Sequence, residues 1–354
     1  MNLPEGNYLI TIYSGHPHLK SSLTVKAESR RWMLEDIVTQ PGEIAENSFV
    51  VNVRTPYISD MDSIRRKPRE YDYLNWDKKL TLEFTGINPS VYGLKIKPQN
   101  DITTMFLAGN STVVDQEYEP YASWGQMITR YFDQNVVVAN YAESGESLSS
   151  FKSAGRLKKI LSEMNSGDYL FIEFGHNDQK QSGEGVGPWT SFTDLLKEFI
   201  EETRNIGGNP VLVTPMHRRV FDENGGVVAT HDDYPDAMRV VAKTENVPLI
   251  DLNLMSKSVY EAWGSNESKK AFVHYPAGTF PGQQNDLRDN THFNNYGAWI
   301  MALCIIKGMR ESTPLLAQFL AADAPMIDTN APFPYSNWTM PHSFRTTAEK
   351  PDGN

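Results

Sequence analysis

The 354-residue chain contains a serine, an aspartate and a histidine whose spacing could support nucleophilic catalysis. Ser111 follows an apolar run and Gly109, and such a turn can expose a serine Oγ at the end of a strand. Asp289 precedes His292 by three residues, so its carboxylate can bond the imidazole Nδ1–H while Nε2 accepts a proton. Each motif alone also has an ordinary interpretation, as a turn serine or a helix N-cap. Together they predict a Ser111–His292–Asp289 triad.

Two further loops could donate hydrogen bonds to an oxyanion. Gly145 follows the apolar run 136–138 and could offer an unobstructed backbone N–H. Asn177 follows the run 169–174, and its amide could donate from the end of a strand. Both loops predict donors on the same edge of a sheet as Ser111.

The elements that must position these residues alternate after Pro98 between buried strands and helices. This rhythm predicts a doubly wound α/β domain with a mostly parallel sheet over residues 101–322, and ligands in such sheets bind beyond the carboxyl ends of the strands. The predicted strands are 104–108, 136–140, 169–174, 211–214 and 248–252, and the predicted helices are 122–132, 148–164, 191–204, 234–245 and 294–309, with residues 289–292 in a turn.

Residues 1–98 contain short β-branched and aromatic runs separated by Gly, Pro, Asn and Asp, which predicts an all-β sandwich domain before the α/β domain. The charged stretch 60–69 is typical of a solvated loop. Residues 323–354 are rich in Pro and polar residues and predict an extended tail.

Composition excludes several function classes. The formal net charge is −11, from 33 Lys and Arg against 44 Asp and Glu, which disfavours general affinity for nucleic acid or an anionic membrane. The only cysteine, Cys304, excludes an intrachain disulfide and a cysteine-based zinc site. No apolar run is long enough to span a bilayer, and no signal-peptide pattern is recognised at the start. No metal or cofactor is implied.

The order Ser111, Gly145, Asn177, Asp289 and His292 resembles the SGNH (GDSL-like) hydrolase superfamily over about residues 101–311. The resemblance implies that Ser111 is the nucleophile, His292 the general base and Asp289 its orienting carboxylate. It also implies an oxyanion hole formed by the N–H groups of Ser111 and Gly145 and the side chain of Asn177.

Within the superfamily the chain looks most like the rhamnogalacturonan acetylesterases, of which larger members also place a β-sandwich before the esterase domain. The supporting stretches are 109–113, 175–178, 214–219, 233–235 and 289–293. Two positions depart from the pattern. Asn110 replaces the usual Asp of the Gly-Asp-Ser block, which keeps an acceptor oxygen and loses a charge. Glu146 stands where many of these esterases have Arg, and an acid there would repel a galacturonate carboxylate.

Several residues are candidates for substrate binding. His217, Arg218 and Arg219 follow a predicted strand and could bind uronate carboxylates or sugar hydroxyls by charge-assisted hydrogen bonds. The alternative is a structural role, with an Arg bonded to Asp222 or Asp233. His231 could line the same cleft, and Trp189 could stack on a sugar ring.

These observations lead to the hypothesis of a serine carbohydrate esterase that removes O-acetyl groups from a plant cell-wall polysaccharide, most specifically rhamnogalacturonan. The expected partner is an acetylated polysaccharide or oligosaccharide, and the oligomeric state is left open. The resemblance implies a periplasmic or secreted bacterial protein, with a cytoplasmic location as the alternative. Two other functions stay open: an SGNH esterase or lipase acting on another ester, and a catalytically silent carbohydrate-binding protein.

Overall fold

The computed structural model describes residues 1–352, and its N-terminal region consists of antiparallel sheets. One sheet has the order β4-β1-β8 and the other the order β3-β2-β7. The strands are β1 (Gly6–Ser14), β2 (Ser21–Ala27), β3 (Arg31–Thr39), β4 (Ala45–Val53), β7 (Leu82–Thr85) and β8 (Val91–Pro98), with a short hairpin of β5 (Tyr57–Ser59) and β6 (Asp62–Ser63) between them.

Both sheets contribute to one hydrophobic cluster. Ile10 and Val51 from the first sheet and Val25 and Met33 from the second are buried in it. The prediction of antiparallel β-structure in this region is therefore confirmed. Strand β3 was not predicted, since Glu35 and Asp36 interrupt its apolar pattern and Asp36 takes a positive φ of 37°.

The second region is built on a five-stranded parallel sheet of order β10-β9-β11-β12-β13. Its strands are β9 (Thr103–Ala108), β10 (Val136–Asn140), β11 (Tyr169–Glu173), β12 (Asn209–Val213) and β13 (Leu249–Ile250). All five correspond to predicted strands. The strand order reverses between β9 and β11, and the carboxyl ends at such a reversal form a crevice where ligands bind.

Helices cover both faces of this sheet. Met105 and Leu107 of β9 pack in one cluster with helices α1, α6 and α7, while Phe106 and Ala108 pack in the other with α2 to α5. This alternation is what a strand buried on both faces requires. The helices are α1 (Trp124–Met127), α2 (Leu148–Ser153), α3 (Arg156–Glu163), α4 (Thr193–Asn205), α5 (Tyr234–Thr244), α6 (Leu252–Glu267), α7 (Asn295–Ser312) and α8 (Pro314–Ala317).

Two local predictions are corrected, and one helix was missed. The predicted helix 148–164 is two helices, because Gly155 lies between them at φ 76° and breaks the helical path. Helix α6 was not predicted. The predicted turn 289–292 lies within strand β15 (Leu287–Phe293), which pairs with β14 (Phe272–Tyr275), and Asn294 is the N-cap of α7.

The residues that follow α8 are mostly irregular and pack on the second region. Trp338 stacks on Trp299 with ring centroids 4.7 Å apart, and the Thr347 N–H donates to the carbonyl of Glu119 at 2.7 Å. Among the helices of residues 1–352, none is both long and apolar enough to cross a bilayer. The boundaries predicted at 98, 101 and 322 stay predictions.

Candidate active site

Ser111, His292 and Asp289 form a continuous hydrogen-bonded chain. The Ser111 Oγ lies 2.9 Å from His292 Nε2, and His292 Nδ1 lies 2.7 Å from Asp289 Oδ2. Ser111 follows β9 and the other two lie on β15, 181 residues away in sequence from the serine to the histidine. All three side chains are buried, with no more than 3% of any residue exposed. This is the geometry in which an imidazole can take a hydroxyl proton and a carboxylate can stabilise the imidazolium.

The Asp289 carboxylate is held by its own backbone as well as by His292. Its Oδ1 accepts the N–H of Thr291 at 2.8 Å and of His292 at 3.0 Å. Burial opposes ionisation, but the hydrogen bonds and charge interaction with His292, with the two backbone donors, lower the pKa of Asp289 to about 2. The carboxylate is therefore charged in neutral solution. The Tyr121 ring packs edge-on against the His292 imidazole, with ring centroids 5.8 Å apart.

The turn that carries Ser111 depends on a glycine and an amide. A Cβ at Gly109 would lie 2.5 Å from Val113 Cγ2, so only glycine fits there. Asn110 Oδ1 accepts the backbone N–H of Thr112 at 3.0 Å, and the Gln116 amide donates to the Ser111 carbonyl at 2.8 Å. Asn110 therefore uses the acceptor oxygen that it shares with the usual Asp of this block.

A buried acid lies beneath this turn. Glu173, at the end of β11, accepts the indole N–H of Trp124 at 2.6 Å and contacts Thr112 Oγ1 at 2.8 Å. Burial raises the pKa of Glu173 to about 8, although these two hydrogen bonds lower it. Glu173 was not identified from the sequence, because a single acid at the end of an apolar strand carries no motif.

Gly145 and Asn177 line one cavity of about 470 Å³. Gly145 has a φ of 81°, a conformation that favours glycine, and Asn177 Nδ2 donates to the Glu146 carbonyl at 2.9 Å. Asp178 joins the two loops, since its carboxylate accepts the N–H groups of Leu148 at 2.8 Å and Gly175 at 2.9 Å. The structure thus brings both predicted donor loops to the edge of the sheet that carries Ser111.

The predicted substrate-binding residues are mostly engaged in protein contacts. Arg218 donates to the carbonyls of Thr230 at 2.9 Å and His176 at 3.0 Å. Arg219 donates to Asn290 Oδ1 at 2.7 Å and Ser268 Oγ at 3.0 Å. These bonds are structural, but their partners differ from the predicted Asp222 and Asp233.

The two predicted histidines are buried, and the predicted tryptophan is at the surface. His231 packs edge-on against His176 with ring centroids 4.3 Å apart. The ring centroids of His217 and His231 are 6.4 Å apart. Within residues 1–352, no cluster of histidine, cysteine or acidic side chains has an arrangement that could hold a metal ion. Trp189 is 50% exposed, and its Nε1 donates to Asp233 at 2.9 Å.

Four charged residues at the site were missed in the sequence. Lys67 and Arg69 come from the stretch predicted as a solvated loop, and Lys350 and Asp352 come from the predicted tail. Lys67 Nζ lies 3.0 Å from Glu146 Oε1, and Lys350 Nζ lies 3.5 Å from Asp289 Oδ2. No local pattern places either stretch at the site, because both are far from Ser111 along the chain.

Comparison with known proteins gives a family for this architecture. Residues 107–300 match the model of the GDSL-like Lipase/Acylhydrolase family. A rhamnogalacturonan acetylesterase of Bacillus subtilis is 43% identical over 209 residues, which cover 58% of this chain and 89% of that protein. A probable rhamnogalacturonan acetylesterase of the same bacterium is 33% identical, with 58% of this chain and 92% of that protein covered.

One solved structure resembles the chain over more of its length. The protein YxiM of Bacillus subtilis superposes with a TM-score of 0.53 at 24% sequence identity, covering 88% of this chain and 79% of that one. Because so much of the chain is covered, the likeness of fold includes part of the region before residue 98.

Proposed function

We propose that this chain, which belongs to the GDSL-like Lipase/Acylhydrolase family and is a carboxylic ester hydrolase, removes O-acetyl groups from rhamnogalacturonan through an acyl-Ser111 intermediate. The proposed mechanism is supported above all by the hydrogen bonds that connect Ser111 Oγ through His292 to Asp289. The substrate rests on the two bacterial relatives, which are named for rhamnogalacturonan acetylesterase activity.

In the first half-reaction Ser111 Oγ attacks the acetyl carbonyl carbon, and its proton passes to His292 Nε2. The ionised Asp289 stabilises the imidazolium. Donors from the N–H groups of Ser111 and Gly145 and from the Asn177 amide would hold the oxyanion of the tetrahedral intermediate. The bond between the carbonyl carbon and the sugar oxygen then breaks, and the imidazolium gives its proton to that oxygen.

In the second half-reaction water replaces the sugar. His292 takes a proton from the water as the oxygen attacks the acyl carbon, and a second tetrahedral intermediate forms. Its collapse breaks the bond to Ser111 Oγ, which recovers a proton from His292. Acetate leaves, and the enzyme returns to its starting state without a cofactor.

An acetylated cell-wall polymer is met outside the cell, so the proposal implies a periplasmic or secreted enzyme. The N-terminal β-region is proposed as an accessory domain that braces the esterase domain. Arg31 on β3 supports this role, because its Nε donates to Asp115 Oδ2 at 2.7 Å in the loop that follows Ser111.

Acetate release from acetylated rhamnogalacturonan, xylan and mannan tests the substrate. We expect the largest kcat/KM on rhamnogalacturonan, with Ser111→Ala as the control for background hydrolysis. Removing a triad serine costs on the order of 10⁶ in kcat. Equal rates on all three polymers would contradict the rhamnogalacturonan assignment and leave the esterase activity standing, whereas identical rates for wild type and Ser111→Ala would contradict the mechanism.

A further inference from the structure

Two cations from the N-terminal region lie beside the proposed oxyanion donors. A Cβ built on Gly145 would lie 3.1 Å from Lys67 Nζ, so the lysine ammonium is close to the Gly145 backbone. Arg69 binds Glu143 two residues before that glycine, with Nη2 to Oε1 at 2.5 Å. Both side chains are partly accessible, each with 27% of its surface exposed.

A carboxylate of the chain itself lies on these cations. Asp352 accepts a hydrogen bond from Arg69 Nη1, and its Cβ would be 3.0 Å from a Cβ on Gly145. Arg69 and then Lys67 lower the pKa of Asp352, so this carboxylate is charged. Asp352 also lines the cavity that Gly145 and Asn177 share.

The segment 347–352 contacts both the Gly145 loop and Asp289. At one end Asp352 lies against Gly145, and near the other Lys350 lies 3.5 Å from the triad carboxylate Asp289. Ser111 itself is 2% exposed. A carboxylate that binds Arg69 from solvent would have to displace Asp352, which already accepts a hydrogen bond from Arg69 Nη1.

The contacts of Asp352 indicate what would replace it. Its carboxylate accepts a hydrogen bond from Arg69 Nη1, and the charge of Lys67 also lowers its pKa. When Asp352 leaves, Arg69 loses a hydrogen-bond acceptor and Lys67 loses a neighbouring carboxylate. A carboxylate of the substrate can take its place through charge-assisted hydrogen bonds.

We propose that Lys67 and Arg69 form a subsite for the uronate carboxylate of the substrate and that Asp352 occupies this subsite until the substrate displaces it. The inference rests on the proposed function and adds the residues that recognise the acidic sugar. It also accounts for Glu146 at a position where many similar esterases have Arg. Lys67 pairs with Glu146, so the acid is compensated from the N-terminal region and does not repel an incoming carboxylate.

Inhibition of 4-nitrophenyl acetate hydrolysis by D-galacturonate tests the subsite, with neutral D-galactose as the control sugar. We expect competitive inhibition by galacturonate of the wild type. Lys67→Gln should raise the inhibition constant on the order of tenfold, since a hydrogen bond to a charged group is lost. Lys67→Arg, which keeps the charge, should restore inhibition, and Asp352→Asn should lower the inhibition constant several-fold by removing the internal competitor.

Lys67→Gln leaves Glu146 buried without its cation, so the double variant Lys67→Gln with Glu146→Gln is the matched control for folding. It should also bind galacturonate weakly. Equal inhibition constants for wild type, Lys67→Gln and the double variant would overturn the subsite, and an unchanged constant in Asp352→Asn would overturn its occupation by Asp352. If the wild type does not hydrolyse 4-nitrophenyl acetate, the proposed function itself fails, which is a separate outcome.

Discussion

Glu173 shows how one buried acid can link the nucleophile turn to the pH of the solution. In the folded chain its pKa is about 8, against an ordinary value of 4.5. The folded state therefore keeps a proton over a pH range in which the unfolded chain has released it. By linkage, the contribution of Glu173 to stability is largest below its ordinary pKa and declines as the pH rises through about 8.

Glu173→Gln should remove this part of the pH dependence. The amide has the same shape, its oxygen can accept from Trp124 Nε1, and its NH₂ can donate to Thr112 Oγ1. We expect the free energy of unfolding, measured with urea at a series of pH values, to fall more steeply for wild type than for Glu173→Gln between about pH 5 and pH 8. Parallel curves for the two proteins would show that Glu173 is ionised throughout.

Contacts between single residues could be predicted from the sequence where the residues are close together along the chain. Asp289 and His292 are three residues apart, and their contact survives the change from a predicted turn to a strand. It survives because Asp289 Oδ1 accepts the backbone N–H groups of Thr291 and His292, which folds the carboxylate back toward the imidazole. Lys67 and Asp352 have no local motif, so their meeting could not be predicted.

Among the elements, strand β3 is joined by a buried ion pair to the loop that follows Ser111. The Asp115 carboxylate accepts two hydrogen bonds. One comes from Arg31 Nε of β3 at 2.7 Å, and the other comes from Asn140 Nδ2, at the end of β10, at 2.8 Å. Arg54, at the end of β4, adds a second cation at 3.7 Å from the same carboxylate. All of these charged groups are buried, with at most 1% of each side chain exposed.

Asp115→Asn should be strongly destabilising, because it leaves two buried arginines without their anion. Breaking a buried ion pair typically costs about 3–5 kcal/mol in the free energy of unfolding. Asp62→Asn is the matched control, since Asp62 pairs with Lys158 at 2.5 Å on the surface and both side chains are largely exposed. Urea unfolding of the two variants should show a large loss for Asp115→Asn and no measurable change for Asp62→Asn, and equal losses would contradict the brace.

The elements themselves were predicted best where they are buried on both faces. The five parallel strands are continuous apolar runs, which stand out in the sequence. Strand β3 and helix α6 have weaker patterns, and Gly155 ends a helix that the apolar periodicity alone would continue. In these places the backbone conformation determines where an element forms or ends, and the spacing of apolar residues does not reveal that conformation.

At the scale of the whole molecule, Glu119 joins three separate parts of the chain. Its carboxylate accepts from His342 Nδ1 at 2.8 Å and Asn295 Nδ2 at 2.9 Å, and Arg30 of the N-terminal region lies at 3.4 Å. Burial opposes ionisation, but His342, then Arg30 and Lys26, hold the pKa of Glu119 at about 2. The charge of this single residue therefore ties the N-terminal region, helix α7 and the segment after residue 340 together.

Contacts between distant parts of the chain also explain why the net charge did not predict which charges lie near the catalytic residues. The net charge of −11 describes the whole chain, whereas the cations beside the catalytic residues are Lys67, Arg69, Lys180 and Lys350. They come from three distant stretches that only the folded chain brings together. The predicted substrate-binding residues His217, Arg218 and Arg219 instead make mostly structural hydrogen bonds.

If Ser111 carries the acyl group during turnover, mass spectrometry should detect it in protein mixed with 4-nitrophenyl acetate and quenched in acid. We expect the mass of one acetyl group to be added, the modified peptide to contain Ser111, and Ser111→Ala to gain no acetyl group. An acetyl group on any other residue, or hydrolysis at the wild-type rate by Ser111→Ala, would show that Ser111 is not the nucleophile.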